Sequence, residues 1–104
     1  MAKSNKARVL AVVAAIPEGR VTTYGTIGKR LNLTARQVAR VLATLSVDES
    51  VELPWFRVVA AQGAISSMKL GAVGRRQIER LRNERVEVSL RNKILNFESV
   101  VWQK

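Results

Sequence analysis

A chain of 104 residues and 11.5 kDa is the length of one domain, which excludes a two-lobed enzyme with an interdomain cleft. Apolar residues make up 47% and charged residues 25%, but 18 Lys and Arg against 8 Asp and Glu leave a net charge of +10, so a polyanionic partner is expected, nucleic acid first. Cysteine and histidine are both absent, which removes disulfides, thiolate nucleophiles, Cys/His zinc sites and imidazole acid–base catalysis.

No apolar run approaches the roughly 20 residues a membrane span requires. The start leads into a helix pattern without a signal-peptide cleavage site, so a cytoplasmic, nucleoid-associated monomer is expected. Residues 1–45 carry eight basic groups against the single acid Glu18, whereas residues 46–104 carry ten against seven. The basic partner surface is therefore expected mostly in the first half.

Ser4 is placed to cap a first helix whose apolar positions Val9, Val12, Val13 and Ile16 follow the helical period, and Pro17 with Gly19 stops it. Val21 to Thr23 is β-prone. Thr23 caps a second helix with Tyr24, Ile27 and Leu31 on one face, and Asn32 ends it. Thr34 and Gln37 form a Thr-x-x-Gln capping box that opens a third helix, with Val38, Val41, Leu42 and Leu45 as its buried stripe. Arg36, Gln37 and Arg40 lie away from that stripe. Two short helices in tight connection, the second with a basic polar face, read as a helix-turn-helix. The acidic stretch Asp48, Glu49 and Glu52 reads as a loop, and Leu53 to Ala60 as an extended apolar run. A turn at Gln62 and Gly63, a basic helix over Ala72 to Arg85, a short strand Val86 to Val88 and an apolar end with Phe97 and Trp102 complete the chain. The expected fold is mainly α, a single helix-turn-helix domain of winged-helix character over residues 1–104 with a small β element.

Local sequence leaves the functional residues ambiguous. Tyr24 sits at the opening of the helix-turn-helix, where it either meets a phosphate or packs in phase with Ile27 and Leu31. Arg36 on the recognition helix favours a phosphate contact over entry into the base stack. In Leu53-Pro-Trp-Phe-Arg-Val-Val59, two adjacent aromatics after a proline either line a pocket for a planar base or divide between core and surface. The Arg-rich run from Arg75 to Arg85 reads first as a solvated face, with contact to phosphate or to an acidic protein as the alternatives.

Three motifs together, Ile16-Pro-Glu-Gly-Arg-Val-Thr-Thr-Tyr-Gly25, Ala35-Arg-Gln-Val38 and Pro54-Trp-Phe-Arg-Val-Val59, resemble the alkyltransferase-like proteins, relatives of O6-alkylguanine-DNA alkyltransferase that lack its reactive cysteine. The resemblance covers roughly residues 7–88. Where the alkyltransferases read Pro-Cys-His-Arg-Val, this chain has Trp55 and Phe56, and neither ring offers an ionised nucleophile. Ser66 or Ser67 would need a base that the chain does not provide. The resemblance implies a non-enzymatic protein without cofactor or metal that binds duplex DNA containing O6-alkylguanine, flips the base and flags it for nucleotide excision repair. It implies that Tyr24 rotates the phosphate of the damaged nucleotide, that Arg36 fills the vacated place in the stack, and that small Ala35 and Ala39 let the helix approach the minor groove. The DNA-binding set is then Thr23, Tyr24, Ala35, Arg36, Gln37 and Arg40. The base pocket is Tyr24, Pro54, Trp55, Arg57, Val58, Ser66, Met68 and Lys69, with Phe56 as packing. Pro-Trp-His-Arg is the commoner form of the third motif, and Met68 stands where many relatives place an arginine. A winged-helix regulator that reads intact sequence through Arg36, Gln37 and Arg40 is the alternative, and a serine-dependent enzyme is a third.

Overall fold

The computed structural model describes residues 4–65 and 71–102. Helix α1, Asn5–Ala15, begins where Ser4 Oγ accepts the Ala7 N–H at 3.1 Å and ends as Ile16 turns extended ahead of Pro17. Its apolar stripe buries Val9 and Val13 and leaves Val12 half-buried, as the spacing predicts.

Strand β1, Thr22–Thr23, runs directly into α2, Tyr24–Leu31, whose first turn is capped by Thr23 Oγ1 accepting the Thr26 N–H at 3.0 Å. Asn32 ends the helix in the left-handed region at φ +62°, a conformation asparagine tolerates better than most residues. Arg8 reaches across from α1 to donate to the Leu31 carbonyl at 2.7 Å, satisfying an otherwise open helix end. Helix α3, Ala35–Ala43, opens with both halves of the Thr34/Gln37 capping box in place. The turn between α2 and α3 requires glycine at position 28. A Cβ there would stand 2.5 Å from the Leu33 carbonyl oxygen, whose own N–H bonds back to Gly28 O at 2.7 Å.

Two expectations are corrected after α3. The acidic stretch is a helix, α4, Val47–Glu52, because Ser46 and Glu49 form a second capping box with the same spacing as Thr34 and Gln37. Asp48 and Glu49 sit in its first turn, where the helix dipole favours negative charge. Glu49 also accepts from Lys6 Nζ at 3.2 Å, joining α4 to α1. The Ser46 backbone N–H and then the Lys6 ammonium hold its carboxyl below the ordinary 4.5. The second correction concerns the Leu53–Ala60 run, which is extended only in part. After Pro54 the chain makes a 3₁₀ turn at Trp55–Arg57 and then strand β2, Val58–Val59. Adjacent bulky rings are accommodated by the turn, where a strand would send one of them to each face.

Strands β1 and β2 pair in parallel, Thr22 with Val58 and Thr23 with Val59. A further 3₁₀ turn at Ala61–Gly63 carries Gln62 and Gly63 at positive φ, in the place expected for a turn. Helix α5, Ala72–Asn83, stops two residues short of the expected Arg85, which lies in the left-handed region. The strand expected at Val86–Val88 is reduced to a single bridge between Val88 and Ile94. A short α6, Phe97–Val100, then returns the chain so that Val101 bridges Val21 and the Trp102 N–H reaches the Val21 carbonyl at 2.7 Å.

The core forms two clusters. One joins α1, Ile27 of α2, Val38 of α3 and Val58; the other joins Val21, Phe56, Val59, Ile78, Leu81, Val86, Val88 and Ile94. Neighbouring β2 residues contribute to opposite clusters, Val58 to the first and Val59 to the second. The fold is thus mainly α with a helix-turn-helix and a small β element, as expected.

Candidate nucleic-acid interface

The helix-turn-helix presents its polar residues as the helical period requires. With Val38 buried and Val41 and Leu42 half-buried, α3 leaves Ala35, Arg36, Gln37 and Arg40 exposed. Lys29 and Arg30 are exposed on the last turn of α2. Arg36 stands in the first turn of α3, beside the positive end of its dipole, so that end favours anions on two counts, while Arg40 lies in the last turn. Gln37 has a prior duty, because its Oε1 accepts the Thr34 N–H at 2.8 Å in the capping box. Thr23 is similarly engaged: its hydroxyl caps α2 and lies 2.9 Å from the Thr26 hydroxyl. Tyr24, the first residue of α2, is half-buried against the first core cluster. Ala39 is half-buried, so of the two small residues Ala35 is the more open to a partner.

The pairing of β1 with β2 ties the entry of α2 to the strand that follows the Trp55 turn. The helix-turn-helix and that turn are therefore held on one rigid unit. Pro54 restricts the chain entering the turn, and Arg57 N–H closes it on the Pro54 carbonyl at 3.0 Å. Phe56 is buried, as its expected packing role requires, while Trp55 stays half-buried and meets the Phe56 ring edge-on at 6.1 Å and 86°. Gln77, buried on α5, donates to the carbonyls of Phe56 at 3.1 Å and Val58 at 2.9 Å. One side chain thus anchors both ends of the segment behind Trp55.

The pocket residues separate on this geometry. Pro54, Trp55 and Tyr24 are half-buried and open to a partner. Arg57 is not available for a base: its guanidinium makes an ion pair with Glu84, donates to the Ile16 carbonyl at 2.7 Å and lies 5.3 Å from the Phe56 ring centroid. Glu84 in turn accepts the Gly19 N–H at 3.0 Å, so Arg57 and Glu84 join the turn to both the end of α1 and the end of α5. Val58 is fully buried in the first core cluster, which also removes its side chain from a pocket wall. Ser66, Met68 and Lys69 lie outside the described residues. Arg80 is a residue whose placement sequence did not anticipate. Half-buried on α5, it lies 5.6 Å from the Phe56 ring centroid.

Sequence reasoning also missed Gln77, Glu84 and Gly28. Gln77 could have been found, since it falls in phase with Gly74, Ile78 and Leu81 on the buried stripe of α5. Glu84 carries no local signal, because its partner is 27 residues earlier in the chain. Among the described residues no group of three or more His, Cys, Asp or Glu is arranged to hold a metal, and no helix is long and apolar enough to cross a membrane.

Residues 4–86 match the family model for the 6-O-methylguanine DNA methyltransferase, DNA binding domain. Alkyltransferase-like protein 1 of Schizosaccharomyces pombe is 36% identical over 101 residues, covering 92% of each chain. A DNA base-flipping protein of Vibrio parahaemolyticus is 42% identical over 98 residues, covering 92% of this chain and 93% of its own. Among solved structures, S. pombe Atl1 in complex with damaged DNA containing O6-carboxymethylguanine superposes with a TM-score of 0.81 at 32% identity, covering 95% and 94% of the two chains. The Mycobacterium tuberculosis O6-methylguanine methyltransferase shares the fold, with a TM-score of 0.63 at 23% identity over 81% of this chain and 50% of that one.

Proposed function

The chain belongs to the family of the 6-O-methylguanine DNA methyltransferase DNA-binding domain, and from that premise we propose that it recognises O6-alkylguanine in duplex DNA by flipping and holding the base without repairing it. The observation that carries this reading is Trp55. It stands, half-buried, in the Pro-Trp-Phe-Arg turn at the position where an alkyltransferase needs a cysteine. An indole has no ionised nucleophilic atom, and the chain has no cysteine at all and no histidine to activate a serine. An alkyl group brought to this place meets a flat apolar surface and stays on the base.

The duplex docks on the helix-turn-helix, with Arg40 of the recognition helix and Lys29 of α2, both exposed, closest to the phosphates. Tyr24 presses on the phosphate of the damaged nucleotide, and Arg36 enters the stack as the base leaves it. Unstacking costs a few kcal/mol, least for a base whose pairing is already damaged, so lesion sites are favoured before the pocket discriminates. A side chain wedged between base steps kinks the duplex. The bent complex, persisting because no chemistry ends it, is the signal handed to nucleotide excision repair in a cytoplasmic, nucleoid-bound setting. The protein acts as a monomer and requires no cofactor.

Flipping is tested with a duplex that carries 2-aminopurine beside a single O6-methylguanine. Binding of the unmutated protein should raise 2-aminopurine fluorescence, and Tyr24→Ala and Arg36→Ala should abolish the rise while retaining some affinity. A sequence-reading regulator would bind with no rise and with no preference for the alkylated duplex, which would overturn the proposal.

A further inference from the structure

The large apolar side chains left exposed among the described residues are Val47, Val51, Val73, Leu90 and Leu95, and none belongs to the helix-turn-helix. Three of the five, Val73, Leu90 and Leu95, lie on α5 or after it in the chain. Leu90 is 98% exposed although its turn is firmly built: Ser89 N–H reaches the Lys93 carbonyl at 2.8 Å, Asn92 N–H reaches the Ser89 carbonyl at 3.0 Å, and Ser89 Oγ accepts the Arg91 N–H at 3.2 Å. A leucine fixed in water by such a turn is a presented group.

Two grooves flank α5 and share Arg82. One runs between α5 and the turn, lined by Arg75, Ile78, Glu79, Arg82 and Leu90 among others; the second continues from Arg82 past Arg85 and Glu87 to Leu95. Three exposed cations line the grooves, Arg75, Arg82 and Arg85, against two exposed acids, Glu79 and Glu87. Phosphate would satisfy the cations and leave the leucines in water. The mixture of guanidinium and aliphatic side chains instead matches the composition of protein interface cores, where arginine pairs with carboxylates and its stem covers apolar surface.

We infer that this surface docks an acidic protein segment that carries apolar side chains among its Asp and Glu residues. It is built entirely from residues after position 71 and shares none with the helix-turn-helix. The surface gives the chain a second, protein-directed contact independent of the lesion.

The test uses two short synthetic helical peptides of one Glu-rich composition, one with its leucines on a single face and one with them scrambled around the helix. The full chain is titrated with each peptide, free and saturated with an O6-methylguanine duplex, while the Leu90 and Leu95 methyl resonances are followed. The striped peptide should bind at least about tenfold tighter than the scrambled one, shift both leucine resonances, and bind equally with DNA present. Arg75→Glu combined with Leu90→Glu should lose that affinity at least about tenfold, and Leu90→Ser alone should lose part of it with duplex affinity unchanged. Leu90 is almost fully exposed, so its replacement leaves the fold intact, which a thermal melt verifies. Equal binding of the two peptides, no binding of either, or a loss of duplex affinity in Leu90→Ser would overturn the inference, the last by assigning the surface to DNA. Lesion preference is read separately on the duplexes, so failure here leaves that proposal standing, and the converse holds.

Discussion

The two basic regions of the molecule use arginine in different ways. On the helix-turn-helix, Arg36 and Arg40 are exposed on a helix whose apolar side packs into the first core cluster. In and around α5, several arginines serve the fold: Arg57 is paired with Glu84, Arg82 donates to the Val88 carbonyl at 3.0 Å, and Arg80 lies over Phe56. The first kind of cation is free to neutralise phosphate. The second is committed to contacts within the fold, so a net charge of +10 overstates the surface available to DNA.

The sharpest way to break this comparison is to remove one partner from each region. Glu84→Ala leaves the mostly buried Arg57 guanidinium without its carboxylate and should destabilise the protein by about 3 kcal/mol in urea unfolding. Arg36→Ala should leave stability within about 0.5 kcal/mol while weakening duplex binding. If Glu84→Ala melts like the unmutated protein, Arg57 is not the structural arginine described above. Next in size is Gly28→Ala, where the new Cβ meets the Leu33 carbonyl oxygen at 2.5 Å and forces the helix-turn-helix apart, at a cost of about 2 kcal/mol.

Gln77→Leu should cost about 1–2 kcal/mol, since it strips hydrogen bonds from the Phe56 and Val58 carbonyls, and it should alter tryptophan emission by releasing the segment behind Trp55. Thr34→Ala removes the acceptor for the Gln37 N–H and should cost about 1 kcal/mol, detectable as a lower melting temperature. The smallest effect is on pH dependence. Because the folded protein holds the Glu49 carboxyl below its ordinary 4.5, the stabilisation from its cap and from Lys6 is complete above that pH and is lost as pH falls through the lower folded value. Glu49→Gln should lose that small stabilisation at neutral pH and flatten the acid limb of the stability–pH curve below 4.5, so that the two proteins converge in acid.

What sequence conveyed and what it did not divide along the range of the interactions. The α1 stripe, the Thr23 cap, the left-handed Asn32 and the Thr34/Gln37 box are written within four residues of one another, and each was legible. The Ser46/Glu49 box was equally local and was passed over because three acids in seven residues looked like a solvated loop. The Pro54–Arg57 turn was misread as strand for a different reason. Its apolar residues carry no period, and only contact with Gln77 from α5 fixes its shape. Arg57 was assigned to a pocket because its partners, Ile16 and Glu84, are distant in the chain. Motif resemblance singled out Tyr24, Arg36 and Trp55; it could not separate exposed residues such as Arg36 from those, such as Arg57 and Val58, that hold the turn.

The most direct test of the central claim is a titration at fixed salt of one short duplex with and without a single O6-methylguanine, followed by recovery of the DNA and assay of the methyl group. Tighter binding to the alkylated duplex, with the methyl group fully retained, is the expected result. Equal affinity for the two duplexes would contradict lesion recognition, and disappearance of the methyl group would contradict the absence of a nucleophile.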